Sequence, residues 1–149
     1  MTTMTDGPAH ATAETTIEAP ADAVWQVLTD FPRWPEWSPG VTAMHIDGPV
    51  AVGTTFRWRS GPSRITSTIT DVDPGRSIAW TGRTLGISAV HRWEVVSAGE
   101  RTVVRTEETW RGLVPRLLRA RAQRMLETSL QSGVVALGSQ VVTRRAAPG

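Results

Sequence analysis

The sequence predicts an α+β fold: a seven-stranded antiparallel sheet with two short helices after its first strand and a long C-terminal helix against one face. Three observations carry this. Residues 17–40 run from a strand end into an amphipathic helix and then a turn dense in Trp and Pro. Six later runs rich in Val, Ile, Thr and Trp are each closed by Gly or Pro. Residues 115–142 then carry apolar side chains at helical spacing.

The first strand spans residues 11–17. Glu18-Ala19-Pro20 ends it, and proline, with fixed φ and no N–H, suits the first turn of a helix and not its interior. From there Val24, Trp25, Val27 and Leu28 recur at helical spacing, Asp22 complements the dipole in the first turn, and Asp30-Phe31-Pro32 ends the run. Pro32, Pro35 and Pro39 interrupt the next stretch, so only a very short helix fits there. Strands follow over 41–46, 54–59, 64–72, 77–82, 88–96 and 102–110. Asp47-Gly48-Pro49, Ser60-Gly61-Pro62, Asp73-Pro74-Gly75 and Ala98-Gly99 supply the turn geometries that reverse a strand, so the strands form a meander of hairpins. In the last helix Leu118, Ala122, Met125, Leu126, Ser129, Leu130, Gly133, Val134, Leu137 and Val141 share one face, which the sheet must cover. Glycine within a helix costs about 1 kcal/mol against alanine, so Gly133 requires compensation, by close packing or by space for a bound molecule. No repeat or second-domain linker is visible. Residues 11–144 read as one domain between flexible ends at 1–10 and 145–149.

Ile17, Ala19, Pro20, Val24, Trp25, Leu28, Thr29, Asp30, Trp34, Pro35 and Trp37 fall in a pattern that resembles the opening of the SRPBCC superfamily, the START/Bet v 1-like group that includes polyketide cyclase/dehydrase-type and lipid-binding proteins. The resemblance continues through Gly53-Thr54-Thr55-Phe56-Arg57-Trp58, residues 73–80, His91-Arg92-Trp93 and residues 108–113, and covers roughly 11–144. It implies the helix-grip fold, a curved seven-stranded antiparallel sheet wrapped around a long C-terminal helix with a cavity between them. The shared residues are mostly apolar or turn-forming and specify the fold better than the ligand.

Composition removes many chemistries. The 149 residues contain no Cys, Lys, Tyr or Asn, which excludes disulfides, thiolate nucleophiles, Schiff-base lysine and tyrosine acids. Sixteen arginines against 14 acids leave a net charge of only +2. The distribution is uneven: residues 111–149 hold seven arginines and Glu127 as their one acid. Nucleic acid and an acidic membrane surface are the partners such a bias suggests. No nucleic-acid-binding signature accompanies it, so nucleic acid is not expected. No apolar run reaches the ~18 residues of a membrane span and the first residues lack signal-peptide order, so a cytoplasmic location is expected. There is no nucleophile elbow, Walker loop or dinucleotide fingerprint, and His10, His45 and His91 lack metal-ligand spacing. Neither a metal nor another cofactor is expected.

Strand alternation chooses the side chains that face the helix. In the last strand these are Val104, Thr106, Glu108 and Trp110, and in the one before it His91, Trp93 and Val95, a register that Val90 leaves open. Phe56 and Trp58, Ile65, Ser67 and Ile69, and Ile78 and Trp80 complete the set. The expected ligand wall is therefore Phe56, Trp58, Ile69, Ile78, Trp80, Trp93, Thr106 and Trp110 from the sheet, with Leu126, Ser129, Leu130 and Gly133 from the helix. His91 and Glu108 are its polar exceptions, paired either as an acid/base couple or as a structural contact. Trp25, Trp34 and Trp37 read as structural.

The leading expectation is binding of a small hydrophobic molecule, lipid-, polyketide- or aromatic-like, oriented by His91, Glu108 and Thr106. The resemblance also implies an alternative, a polyketide cyclase/aromatase-like enzyme in which His91 and Glu108 move protons. A third is a protein-interaction module using the outer sheet or the arginine-rich helix.

Overall fold

The computed structural model describes residues 7–146. Seven antiparallel strands form one sheet in the order β1-β7-β6-β5-β4-β3-β2. They are β1 (Ala9–Ile17), β2 (Val41–Ile46), β3 (Thr55–Ser60), β4 (Ser63–Asp73), β5 (Ser77–Thr84), β6 (Ile87–Ala98) and β7 (Arg101–Arg111). Helix α1 (Ala21–Thr29) and a 3-10 helix, Phe31–Glu36, lie between β1 and β2, and α2 (Leu113–Leu117) and α3 (Arg119–Ala146) end the chain. This is the helix-grip arrangement. Every strand from β2 to β6 pairs with the next in sequence, and β1 closes the set against β7.

Two expectations at the chain ends are corrected. Ala9 and His10 belong to β1, and His10 is tied down by an Nε2 contact of 2.7 Å to Glu107 Oε2 and by reciprocal hydrogen bonds with the Gln123 side chain. At the other end α3 runs through Ala146, beyond the expected limit at 144. The rest of the expected loose termini, residues 1–6 and 147–149, lies outside the described residues.

A third correction concerns the last helix, which is two helices. At Leu118 the backbone leaves the α region (φ −117°, ψ 48°), which lets α2 remain on the β5–β6 turn while α3 lies along β1. The Val114 N–H donates to Gly86 O at 3.1 Å. Gly112 permits this approach: its φ is +113°, and a Cβ there would stand 2.6 Å from Gly86 O. Periodicity alone misses such a break because the spacing stays helical on both sides of it.

Helix α1 closes one end of the sheet. Ala23 and Val24 donate to Pro20 O, Val24, Val27 and Leu28 are buried, and the Thr102 hydroxyl donates to Ala19 O at 2.7 Å to hold the helix start on β7. The 3-10 helix then drives Phe31 and Trp34 into the core against Phe56 and Trp80, with ring centroids 4.6–5.9 Å apart. Trp34 Nε1 donates to Leu28 O at 3.0 Å, so its one polar atom is satisfied. That half of the space under the sheet is solid.

Alternation holds where the inward set was expected, with one shift. A bulge between Ile69 and Asp71 changes the parity of β4, and Val72, two residues beyond Thr70, packs on the core. The register of β6 is settled by its neighbours: His91 stands opposite both Trp80 and Glu108, and Trp93 opposite both Ile78 and Thr106. His45 on β2 points outward, largely exposed and 3.0 Å from Asp47.

Candidate functional site: a hollow between the sheet and helix α3

At the end of the sheet opposite α1 the core gives way to a hollow of about 480 Å3, inside the ~300–1,000 Å3 range of small-molecule sites. Small residues create it. Gly82 and Ala89 face each other across β5 and β6 at inward positions, where a Cβ on Gly82 would lie 3.7 Å from that of Ala89. From the helix side Ser129 and Gly133 border the same space, and a Cβ on Gly133 would meet only the Trp93 ring, at 3.8 Å. Gly133 is therefore not forced by close packing.

Of the residues expected on the wall, Trp58, Trp80, Trp93, Trp110, His91, Glu108, Ser129, Leu130 and Gly133 border the hollow. Phe56, Ile69, Ile78, Thr106 and Leu126 do not; all five are fully buried. Their inward direction follows the alternation, but Phe56 packs on Phe31 and Trp34 of the 3-10 helix, and Ile69 and Ile78 are sealed in the same core cluster. Thr106 is spent on internal hydrogen bonds, described below. Leu126 belongs to a seam, with Ala122, Leu130, Val134, Leu137 and Val141, by which α3 packs chiefly on β1. The single stripe expected on the helix is thus a buried seam flanked by a second row, Met125, Ser129 and Gly133, that faces the hollow.

Several bordering residues escaped the sequence reading. Trp34 and Trp37 reach the hollow as well as the core, and the mouth is ringed by residues 38–40, 60–63, Thr84 and Ile87. Gly82 and Ala89 carried a readable sign, small residues at inward positions in strands otherwise filled with Trp. The turn residues carried none, because their position depends on how the sheet curls.

His91 and Glu108 share a wall that is otherwise mostly apolar. The imidazole is flanked by Trp80 and Trp93, with centroids 5.2 and 5.5 Å away. Its Nε2 lies 2.7 Å from Thr106 Oγ1. Thr106 has one hydroxyl proton and gives it to Arg92 O at 3.0 Å, so Nε2 must be the donor and the neutral ring carries its lone pair on Nδ1. That lone pair faces Glu108 Oε1 at 3.5 Å. The other oxygen, Oε2, accepts from Trp110 Nε1 at 2.9 Å. Two acceptors therefore stand side by side on the wall.

Burial pushes His91 below its ordinary value near 6.5, and the Glu108 carboxylate opposes the shift less strongly. That shift favours the neutral ring near pH 7, with Nε2 as its one donor. Because the folded chain binds this proton more weakly than the unfolded chain, the stability owed to neutral His91 is complete above about pH 6.5 and is lost as pH falls toward the depressed folded value. Denaturant titrations at about pH 7.5 and about pH 5 should show a smaller acid loss of stability in His91→Gln than in the parent. Equal losses would mean that the ring titrates in the folded chain as it does in water.

A second groove, about 740 Å3 and larger than the first, runs between α1 and the end of α3. Asp22, Asp30, Arg33, Arg144 and Arg145 border it. It is mixed-charge surface, and Arg144 crosses it toward Asp30 at 3.8 Å.

Comparison with curated protein sequences finds no match. Among solved structures, the Zhui aromatase/cyclase from a Streptomyces species is 24% identical with a TM-score of 0.73, covering 94% of this chain and 97% of its own. A START superfamily protein from Mycobacterium smegmatis is 15% identical, TM-score 0.73, with 91% and 98% covered. Norcoclaurine synthase from Thalictrum flavum, solved with dopamine and hydroxybenzaldehyde, is 17% identical, TM-score 0.69, with 93% and 88% covered. At these identities the likeness is one of fold. The family model for polyketide cyclase/dehydrase and lipid transport proteins matches residues 8–141. Nearly the whole described sheet and helix lie within that match, and the chain belongs to the polyketide cyclase/dehydrase and lipid transport family.

Proposed function

We propose that the protein binds a small, mostly hydrophobic molecule of aromatic or polyketide-like character in this hollow, with a hydroxyl of the ligand directed at His91 and Glu108. The observation that carries the reading is the pair of facing acceptors, Nδ1 and Oε1, in a wall of indole rings. Apolar burial supplies affinity, and a donor shared between Nδ1 and Oε1 supplies orientation. Naphthol and its methyl ether test this directly, since they differ by the donor alone. Calorimetry should find naphthol bound about 10- to 150-fold more tightly, the worth of a hydrogen bond to a charged acceptor. Equal affinities would remove the proposal.

The same pair favours a second reading, a cyclase. Neutral His91 Nδ1 would take a proton from the carbon between two ketones of a poly-β-ketone, and the Glu108 carboxylate would stabilise the imidazolium. The resulting enolate carbon bonds to a distant carbonyl carbon, the imidazolium protonates the new alkoxide, and later loss of that hydroxyl with an adjacent hydrogen releases water. His91→Ala and Glu108→Gln should each abolish ring closure of a polyketone while methoxynaphthalene still binds. Turnover undiminished in either variant would leave binding as the function.

A further inference from the structure

The mouth of the hollow carries an unusual surface. Nine large apolar side chains of the described residues are exposed, and five of them, Leu85, Leu113, Leu117, Leu118 and Met125, cluster there. Leu85 is 96% exposed at the tip of the β5–β6 turn, and the Gly86 and Val114 backbones bond that turn to the start of α2. Leu113 and Leu117 are one helical turn apart on α2, and Met125 borders the hollow itself. Monomeric proteins seldom concentrate apolar side chains in this way without a partner.

The charge around the patch has one sign. Residues 112–126 contain Arg116, Arg119, Arg121 and Arg124 and no acid. All four are exposed, and no ion pair among the described residues involves them. The opposite end of the sheet lacks this pattern: Glu18 pairs with Arg101 there, and Asp71 and Asp73 lie on β4.

We propose that this mouth docks on an anionic lipid surface, with Leu85, Leu113 and Leu117 entering the acyl boundary and the four arginines lying among the phosphates. The inference does not depend on which molecule the hollow holds. Leucine tips on a turn and a short helix, ringed by unpaired arginines, match the two requirements of interfacial binding, buried apolar area and attraction to negative headgroups. A protein partner would need a complementary face of roughly 800 Å2, whereas this patch is a turn tip and a five-residue helix bordered by four exposed arginines. Docking would open the hollow directly onto the membrane and give an apolar ligand a path that avoids water.

Sedimentation of the full chain with phosphatidylcholine vesicles, with and without phosphatidylglycerol, tests this without any variant. Binding is expected only with phosphatidylglycerol, and it should weaken as salt shortens the screening length from about 10 Å at 0.1 M to about 3 Å at 1 M. Charge reversal of Arg116, Arg119, Arg121 and Arg124 should cost at least about fivefold in partitioning per residue. Leu85→Ser with Leu113→Ser and Leu117→Ser should cost more than about tenfold, while Arg76→Glu, at the far end, should change little. Circular dichroism should be unchanged throughout, because every replaced side chain is exposed. Absence of binding to phosphatidylglycerol vesicles, or leucine variants that bind like the parent, would overturn the proposal. So would sedimentation velocity showing a dimer that the leucine variants dissolve, since a second copy would then own the patch.

Discussion

Leucine at position 133 is expected to weaken uptake of an aromatic probe about 5- to 150-fold, the equivalent of the ~1–3 kcal/mol that overfilling a packed space costs. The added side chain would leave the helix beside Trp93 and occupy the hollow, since nothing but the Trp93 ring stands within 4 Å of a Cβ there. Folding should suffer far less, because leucine suits a helix better than glycine by nearly 1 kcal/mol. Gly133→Ala is the control: its methyl makes ordinary contact with Trp93 at 3.8 Å, so the variant should gain stability and keep binding. Quenching of the wall tryptophans on adding naphthol reads all three proteins. If the leucine variant binds like the parent, the ligand lies elsewhere.

Phe31→Ala should produce the largest loss of stability, about 3–5 kcal/mol, enough to threaten folding in a protein whose total is of order 5–15 kcal/mol. Phe31 is fully buried at the centre of the aromatic cluster, with Trp34, Phe56 and Trp80 at 4.6, 4.7 and 5.7 Å between centroids. It fills the closed half of the space under the sheet, so its removal opens a cavity that the rigid rings around it cannot collapse to fill. Urea denaturation measures the loss directly. A cost below about 1 kcal/mol would show that the 3-10 helix is not the plug of the core and that solid and hollow halves are not separately built.

The contrast between these two positions marks the limit of what residue type and spacing convey. Phe56, Ile69 and Ile78 obey the same period-two rule as Trp58, Trp80 and His91, yet the first group is sealed in the core and the second borders the hollow. Alternation states which face a side chain occupies but not how far along the strand the filling stops. Likewise the spacing on the last helix cannot separate Leu126, in the seam against β1, from Ser129 and Gly133 beside the hollow, because a helix tilted over one edge of a sheet presents neighbouring rows to different surroundings.

Sequence alone determined the strand count, the turns between strands, the helix after Pro20, the apolar stripe on the last helix and the inward placement of Glu108, whereas the facing of His91 was settled by the pairing of β6 with β5 and β7. Each of the sequence-determined features rests on a local rule: proline geometry, period two in strands, or period 3.6 in helices. Tertiary structure alone decided the break at Leu118, the seating of Ala9 and His10 in β1, and the tautomer of His91. The break depends on Gly112 meeting the distant Gly86, the strand start on pairing with Trp110 and Thr109, and the tautomer on Thr106 having already given its proton to Arg92 O. These are contacts between residues far apart in the chain, and no window of sequence contains both partners.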